Sequence, residues 1–426
     1  MEFLWQTARE NYNLLVVLAG VSLLGASSGI IGAFAVLRKR ALTGDALSHA
    51  ALPGLCIAFL LLRERNLVAM LIGALASGVL GIAIISALSR WTRIKDDASI
   101  GAVLSVFFGL GIVLLKIIQN MEGVGSKAGL NSYIFGKTAG MTAGDVYVIL
   151  AAALLCLVLI TLFYKEFQLV SFDGDFARSL GWPVYAVDLL LMSLVAAAVV
   201  IGLPNVGVVL VSALLIMPGA AARFWTDRLS SLLILAAGLG FVTGLVGTAL
   251  SATFNQLPAG PVIVLTGAAI FFFSLICGTR RGALARLFQH WRFQRQWHER
   301  QLLQAMWELT EQNRGNAVVS QPQLLAHRAW RANQINRIIR AAIAADLLQR
   351  TDRGFTLTPA GREQAIEVVR GRRLWEAFLN AYPEQAGSVT NLASTNVADV
   401  AQPEVVAALT ENLRATGRWP VLEASA

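Results

Sequence analysis

The sequence predicts an all-α polytopic membrane protein of about nine transmembrane helices (range eight to ten), followed by a hydrophilic C-terminal domain. Three observations predict it. The 426 residues are 56% hydrophobic and 14% charged, with a mean hydropathy of +0.62; a soluble domain carries about 25% charged residues. The apolar excess is confined to residues 13–279, in runs near the roughly 20 residues that a spanning helix needs. From Arg280 onward the pattern changes to 19 Arg, no Lys and 13 acids, a net charge of +6. The expected division is a membrane domain over 1–280, an interfacial linker helix over 281–300 and a separate domain over 301–426.

The spans are expected at 14–37, 42–62, 67–89, 98–118, 144–164, 184–203, 206–222, 229–253 and 260–279. The weakest is 206–222, which is short and follows "GLPN" closely. No cleavable leader is expected, because "MEFLWQTARENYN" lacks a basic stretch and the first apolar run is too long for a signal core. Orientation follows from Lys and Arg in the short loops. One face holds Arg38, Lys39, Arg40, Arg90, Arg93, Lys95, Lys165, Arg178, Arg223 and Arg228; the other holds Arg63, Arg65, Lys127 and Lys137. The richer face is expected to be cytoplasmic, which places the tail in the cytoplasm and the N-terminus outside. Gly25 with Gly29, and Gly240 with Gly244, have the four-residue spacing that lets helices approach closely in lipid. Cys56, Cys156 and Cys277 are scattered through apolar segments and read as small core residues.

Two polar residues interrupt the second span. Asp45 and His49 are four residues apart in "ALTGDALSHAALPGLCIAFLL", so they share one helix face. An acid near the bilayer centre costs roughly 2.5–3.5 kcal/mol unless it meets water, a partner or an ion. Carboxylate plus imidazole suits Mn, Zn or Fe(II). Two ligands are too few for a closed structural site, so waters or a second subunit would complete it. The alternative is that Asp45 pairs with Arg38 or Arg40 at the helix end and that His49 is a packing residue.

This stretch resembles the signature of the metal-ion ABC permease family, the membrane subunits of bacterial manganese, zinc and ferrous-iron importers. Three further stretches resemble the family in order: "QLVSFDGDFARSLGWP" (168–183), "LPNVGVVLVSALLIMPGAAA" (203–222) and "NQLPAGPVIVL" (255–265). The resemblance covers about residues 10–280. It implies that Asp45 and His49 hold the transported metal ion, with no permanently bound cofactor. It also implies a bacterial cytoplasmic membrane and three kinds of partner: an ATPase subunit, a second permease subunit (identical or homologous) and an extracytoplasmic metal-binding protein. The chain lacks GxxxxGK[ST], so it is expected not to hydrolyse ATP itself and not to be an enzyme; if ATP powers transport, a separate ATPase subunit is expected to supply it.

The segment 172–180 is expected to be a short amphipathic helix in the longest cytoplasmic loop. Phe172, Phe176 and Leu180 form its apolar face, and Asp173, Asp175 and Arg178 are its charges. Such a helix can dock into a partner's groove; the alternative is a helix lying on lipid. By resemblance, Phe172, Asp173, Asp175, Phe176 and Arg178 meet the ATPase. Gly174 stands where the family usually has Pro, which weakens the helix start.

In the tail, "RRGALARLFQHWRFQRQWHER" (280–300) mixes Arg with Trp and Phe, as a helix at the inner membrane surface does. Residues 300–370 follow a helix–turn–helix pattern, then a basic hairpin and "LTPAG". This resembles the winged helix of iron- and manganese-dependent metalloregulators. Arg372 stands where that family places a metal-binding His, and Thr395 and Asn396 stand where it shows Glu and His, so the metal sensor is expected to be lost. Arg331, Arg337 and Arg340 would suit DNA, but subunit contact or regulation is the preferred role and nucleic-acid binding is disfavoured. The reading is therefore a permease subunit of an ATP-binding-cassette importer for a divalent transition metal. The alternatives are an ion-coupled secondary carrier and a membrane-tethered DNA-binding regulator.

Overall fold

The computed structural model describes residues 12–40, 42–63, 66–121, 136–254, 257–312, 318–382, 397 and 401–420. Arg65, Lys127, Asn255, Gln256, Thr395 and Asn396 lie outside the described residues. The chain separates into two compact units, Met1–Arg286 and Leu287–Ala426.

The first unit is a bundle of apolar helices, the form that satisfies every backbone polar group without water. Its long helices are α1 (Tyr12–Leu37), α2 (Thr43–Leu62), α3 (Leu67–Trp91), α4 (Asp96–Asn120) and α5 (Ala143–Leu162). Two short helices, α6 (Tyr164–Phe172) and α7 (Gly174–Ser179), precede α8 (Val184–Ala222), α9 (Leu229–Thr253) and α10 (Ala259–Cys277). Among the described residues, eight helices are long and apolar enough to cross a membrane. The difference from the expected nine lies in α8. At 39 residues it would measure about 58 Å if straight, twice the roughly 30 Å hydrocarbon core.

It is not straight. Gly207 has φ 80° and ψ 168°, a non-helical conformation open mainly to glycine. Contacts on either side show a reversal. Before Gly207, Arg38 at the end of α1 pairs with Asp188 and Leu24 packs at Gly202, so this half runs antiparallel to α1. After it, Leu214 packs near Gly25 and Gly219 abuts Ala33, so the second half runs parallel to α1. Val211 meets Gly202 across the break. The expected spans 184–203 and 206–222 are thus the two arms of one tight helical hairpin.

Close backbone packing holds the centre. A Cβ on Gly25 would collide with the carbonyl of Gly240, and one on Gly240 with that of Gly25. Gly29 lies equally close to Ala236, and Gly244 to Ser22, so α1 and α9 run antiparallel in direct contact. This is the close approach that small residues permit. Cys56 and Cys156 are buried and Cys277 is exposed.

The second unit opens within α11 (Ala283–Gln312), a helix that continues through residue 300. Next come α12 (Gln321–His327), α13 (Ala332–Ala344), a hairpin of β1 (Leu348–Thr351) and β2 (Gly354–Leu357), α14 (Pro359–Ala381) and α15 (Pro403–Ala415). The strands pair antiparallel, Leu348 opposite Leu357, and Val319 bridges to Phe355 beside them. Ser320 and Gln323 form a capping box on α12, and Thr358 caps α14. Leu302, Met306, Leu324, Ile335, Ile339 and Leu348 share one buried core. Leu374, Trp375, Phe378, Leu409 and Leu413 form a second core between α14 and α15.

Candidate metal centre

His49 lies within the depth of the bundle, and Asp45 lies one turn nearer the start of α2, in its first turn. The His49 ring stands edge-on to Phe108, 4.7 Å between centroids, and Phe108 is the midpoint of α4. The next residue, Ala50, accepts a 2.7 Å hydrogen bond from Ser77 near the middle of α3. Small residues bring α2 this deep: Gly54 and Gly73 face each other, and Ala50 packs at Gly81.

Asp45 Oδ1 lies 3.8 Å from His49 Nε2. Most of α2 is buried; apart from its last residues, the side chains left open are Asp45, His49, Ile57, Leu60 and Leu61. Asp45 and His49 share one face in the first half of the helix and are separated from the open residues at its far end by the buried stretch Ala50–Cys56. The Asp45 side chain is 43% exposed and that of His49 is 22% exposed. His49 Nδ1 is buried with no hydrogen-bond partner.

Sequence reasoning missed Ser212, whose Oγ lies 3.4 Å from both Asp45 Oδ1 and Ser48 Oγ and can donate its one proton to that carboxylate or to the Val208 carbonyl at 3.1 Å. Ser212 sits on the second arm of the α8 hairpin, so that arm touches the Asp45 carboxylate. Its only sequence signal was a hydroxyl in an apolar run. Asp45, His49 and Ser212 together offer a carboxylate, an imidazole and a hydroxyl, a borderline set suited to a divalent first-row ion. Among the described residues, no group of three or more His, Cys, Asp or Glu converges.

The arginines nearest Asp45 in the sequence are engaged elsewhere. Arg38 pairs with Asp188 at 2.8 Å. Arg40 pairs with Asp188 at 2.9 Å and with Asp96 at 3.3 Å. These pairs also bring the start of α4, the start of α8 and the α1–α2 loop to one end of the bundle. At the other end, Asn13 donates to the carbonyl of Ala139, and the Lys137 amide to that of Asn205.

The 172–180 segment is two helices broken at Asp173, not one. Asp173 caps α7, its Oδ1 accepting the Phe176 amide at 2.8 Å, which compensates for Gly174 at the helix start. Arg178 pairs with Asp175 at 3.0 Å. Phe172, Phe176 and Leu180 are all more than half exposed, while Ala177 and Phe167 are buried and anchor the segment. The structure thus presents the predicted apolar side chains beside charged ones.

In the second unit, Glu308 is the hub. It lies 2.9 Å from His327 and 3.4 Å from Arg372, and accepts from Gln304 at 2.6 Å. Burial raises its pKa, but the hydrogen bonds from His327 and Gln304 and the charges of Arg372 and Arg328 outweigh it, holding the carboxyl below its ordinary value. Arg372 also bonds Glu376 at 2.8 Å. Glu308, Gln304, His327, Arg328 and Arg372 line an open groove of about 1350 Å³ that includes Trp297, Trp330 and Trp375.

Comparison with known proteins places this geometry. The family described as ABC 3 transport family matches residues 10–278. The manganese transport system membrane protein MntC of Bacillus subtilis (strain 168) is 38% identical over 379 residues, covering 89% of this chain and 86% of MntC. The zinc transport system membrane protein TroC of Treponema pallidum (strain Nichols) is 42% identical over 286 residues, covering 67% of this chain and 95% of TroC. Among solved structures, PsaBC from Streptococcus pneumoniae in complex with Fab contains a chain 30% identical, with a TM-score of 0.57, covering 66% of this chain and 98% of that one. The family match spans the whole helical bundle, including α2 with its acid and imidazole and the hairpin that meets them: the chain belongs to the ABC 3 transport family.

Proposed function

We propose that the chain is the membrane permease subunit of an ATP-binding-cassette importer, and that its cargo is a divalent transition metal bound by Asp45 and His49. One observation carries the reading: a 43%-exposed carboxylate in the first turn of an apolar helix, four residues from a histidine packed at mid-bundle, with the nearby arginines engaged elsewhere. Such a group facing lipid is costly. Facing a second permease subunit across an aqueous path, it meets water, the cargo and the equivalent face of its neighbour. The metals named for the relatives, manganese for MntC and zinc for TroC, both suit this donor set.

The remaining roles follow. The basic end of the bundle faces the cytoplasm, by the excess of Lys and Arg there. Phe172, Asp173, Asp175, Phe176 and Arg178 meet the ATPase subunit, with the exposed phenylalanines filling its groove. An extracytoplasmic binding protein delivers the ion to the opposite end. On α11, the exposed Leu284, Leu287, Phe288 and Trp291 fall at i, i+3, i+4 and i+7, a face suited to the inner membrane surface. The second unit, with its helices and two-stranded wing, serves as a winged helix for subunit contact or regulation.

The test is manganese uptake by cells whose importer carries His49→Ala. Radiometal uptake should fall to background while the protein inserts at its normal level. Uptake at the normal rate would remove the ion from this site.

A further inference from the structure

The four charges at the basic end of the bundle are arranged in a way that the metal site alone does not require. Arg40 is five residues before Asp45, and its carbonyl accepts the Thr43 amide at 3.1 Å, directly below the first turn of α2. Arg38 is seven residues before Asp45. Each is a long-armed cation with a carboxylate close by, and an arginine on that carboxylate would compete with a divalent ion for it. Lys39 has φ 60°, a left-handed conformation rare outside glycine. The turn it makes sends both Arg38 and Arg40 to Asp188. Asp188 is the more buried acid, its side chain 10% exposed against 43% for Asp45, so its attraction for the arginines is less screened. Asp96, at the start of α4, takes the other edge of Arg40.

We infer that Asp188, assisted by Asp96, is a positioning residue for the ion site: it holds Arg38 and Arg40 away from Asp45 and so keeps that carboxylate free for a cation. The inference rests on the reading of Asp45 and His49 as the cargo site. It assigns Asp188 no contact with the ion. The arginines remain useful because they tie the α1–α2 loop to α4 and α8, while their charge is spent on acids outside the path. With Asp188 neutralised, the half-exposed Asp96 still holds one edge of Arg40, and the freed guanidinium groups of Arg38 and Arg40 can turn to Asp45, seven and five residues along the chain. An arginine within about 4–6 Å of a carboxylate changes its affinity for a proton by one to three decades, and it opposes a divalent cation for the same electrostatic reason.

The experiment is manganese(II) uptake kinetics in cells expressing the full transporter, with the level of this chain measured alongside. Asp188→Asn should raise KM about tenfold with little change in maximal rate per molecule. Neutralising the released cations as well, in Arg38→Gln/Arg40→Gln/Asp188→Asn, should return KM to within about twofold of wild type. A merely structural role for Asp188 predicts no such rescue, since the triple variant has lost still more of the ion-pair network. An unchanged KM in Asp188→Asn, or no recovery in the triple variant, overturns the inference. If Asp188→Asn does not accumulate, Asp96→Asn is read in its place: a raised KM that recovers with Arg40→Gln supports the inference, and a wild-type KM overturns it. The His49→Ala control separates the two readings. Normal uptake by His49→Ala removes the site itself. An inactive His49→Ala beside an unaffected Asp188→Asn removes only the positioning role of Asp188.

Discussion

Glu308 carries a pH dependence whose sign follows from its neighbours. Its pKa is lowered in the folded unit, because His327, Gln304, Arg372 and Arg328 favour the carboxylate more than burial disfavours it. The stability it contributes is therefore present above the ordinary value near 4.5 and lost as pH falls through the lowered folded value. With the side chain 26% exposed, the effect should be about 1 kcal/mol or less. Denaturant midpoints of residues 287–426 between pH 6 and 3 should fall more steeply for the wild type than for Glu308→Gln; parallel curves would count against it. The same scale shows what sequence can and cannot disclose. Asp45 and His49 were legible because a four-residue spacing fixes a shared helix face whatever the tertiary fold. Their freedom from Arg38 and Arg40 was not, since the acid that takes both arginines is 148 residues away from Arg40 along the chain. Ser212 was hidden for the same reason, lying 167 residues from the carboxylate it touches.

Among the elements, the membrane helices were legible from apolar run length, because lipid leaves the chain little choice but helix. The α8 hairpin was only half legible. "GLPN" marked an interruption, but the reversal depends on Gly207 at positive φ and on Gly202 leaving room for Val211. The α6–α7 segment shows the opposite case, in which a local rule sufficed: Asp173 caps α7 through its own side chain. Phe176 lies on that short helix, 52% exposed. Phe176→Asp should leave the bundle folded, since Ala177 and Phe167 form the buried anchor. On the proposed docking of this segment to an ATPase subunit, it should abolish most ATP-driven uptake by putting a charge where an apolar side chain would make the contact. Co-purification of that subunit is expected to drop sharply. Retention at the wild-type yield, with normal ATPase stimulation, would mean that the contact lies elsewhere.

At the level of the whole molecule, transport and tail are separable problems. TroC aligns over 95% of its own length with only 67% of this chain, a span close to the size of the first unit. MntC of Bacillus subtilis aligns with 89%, and so extends into the second. The second unit has two hydrophobic cores of its own, one around Leu302 and Ile335 and one around Trp375 and Phe378. Residues 287–426 should therefore fold alone, with a cooperative denaturant transition. They should also bind no transition metal tightly. A metal ligand must offer a lone pair, and Arg cannot be deprotonated in a protein. Arg372 already bridges Glu308 and Glu376, so a cation entering between those carboxylates would have to displace a guanidinium bound to both. His327 is likewise occupied by Glu308. Calorimetric titration of the purified fragment with Mn, Zn and Fe(II) should show no stoichiometric site of micromolar affinity. Arg372→Ala removes the competing cation while keeping both acids and the histidine, which makes it the informative companion. Tight binding by the wild-type fragment would make the tail a metal sensor. Binding gained only in Arg372→Ala would identify the guanidinium as the group that keeps metal out.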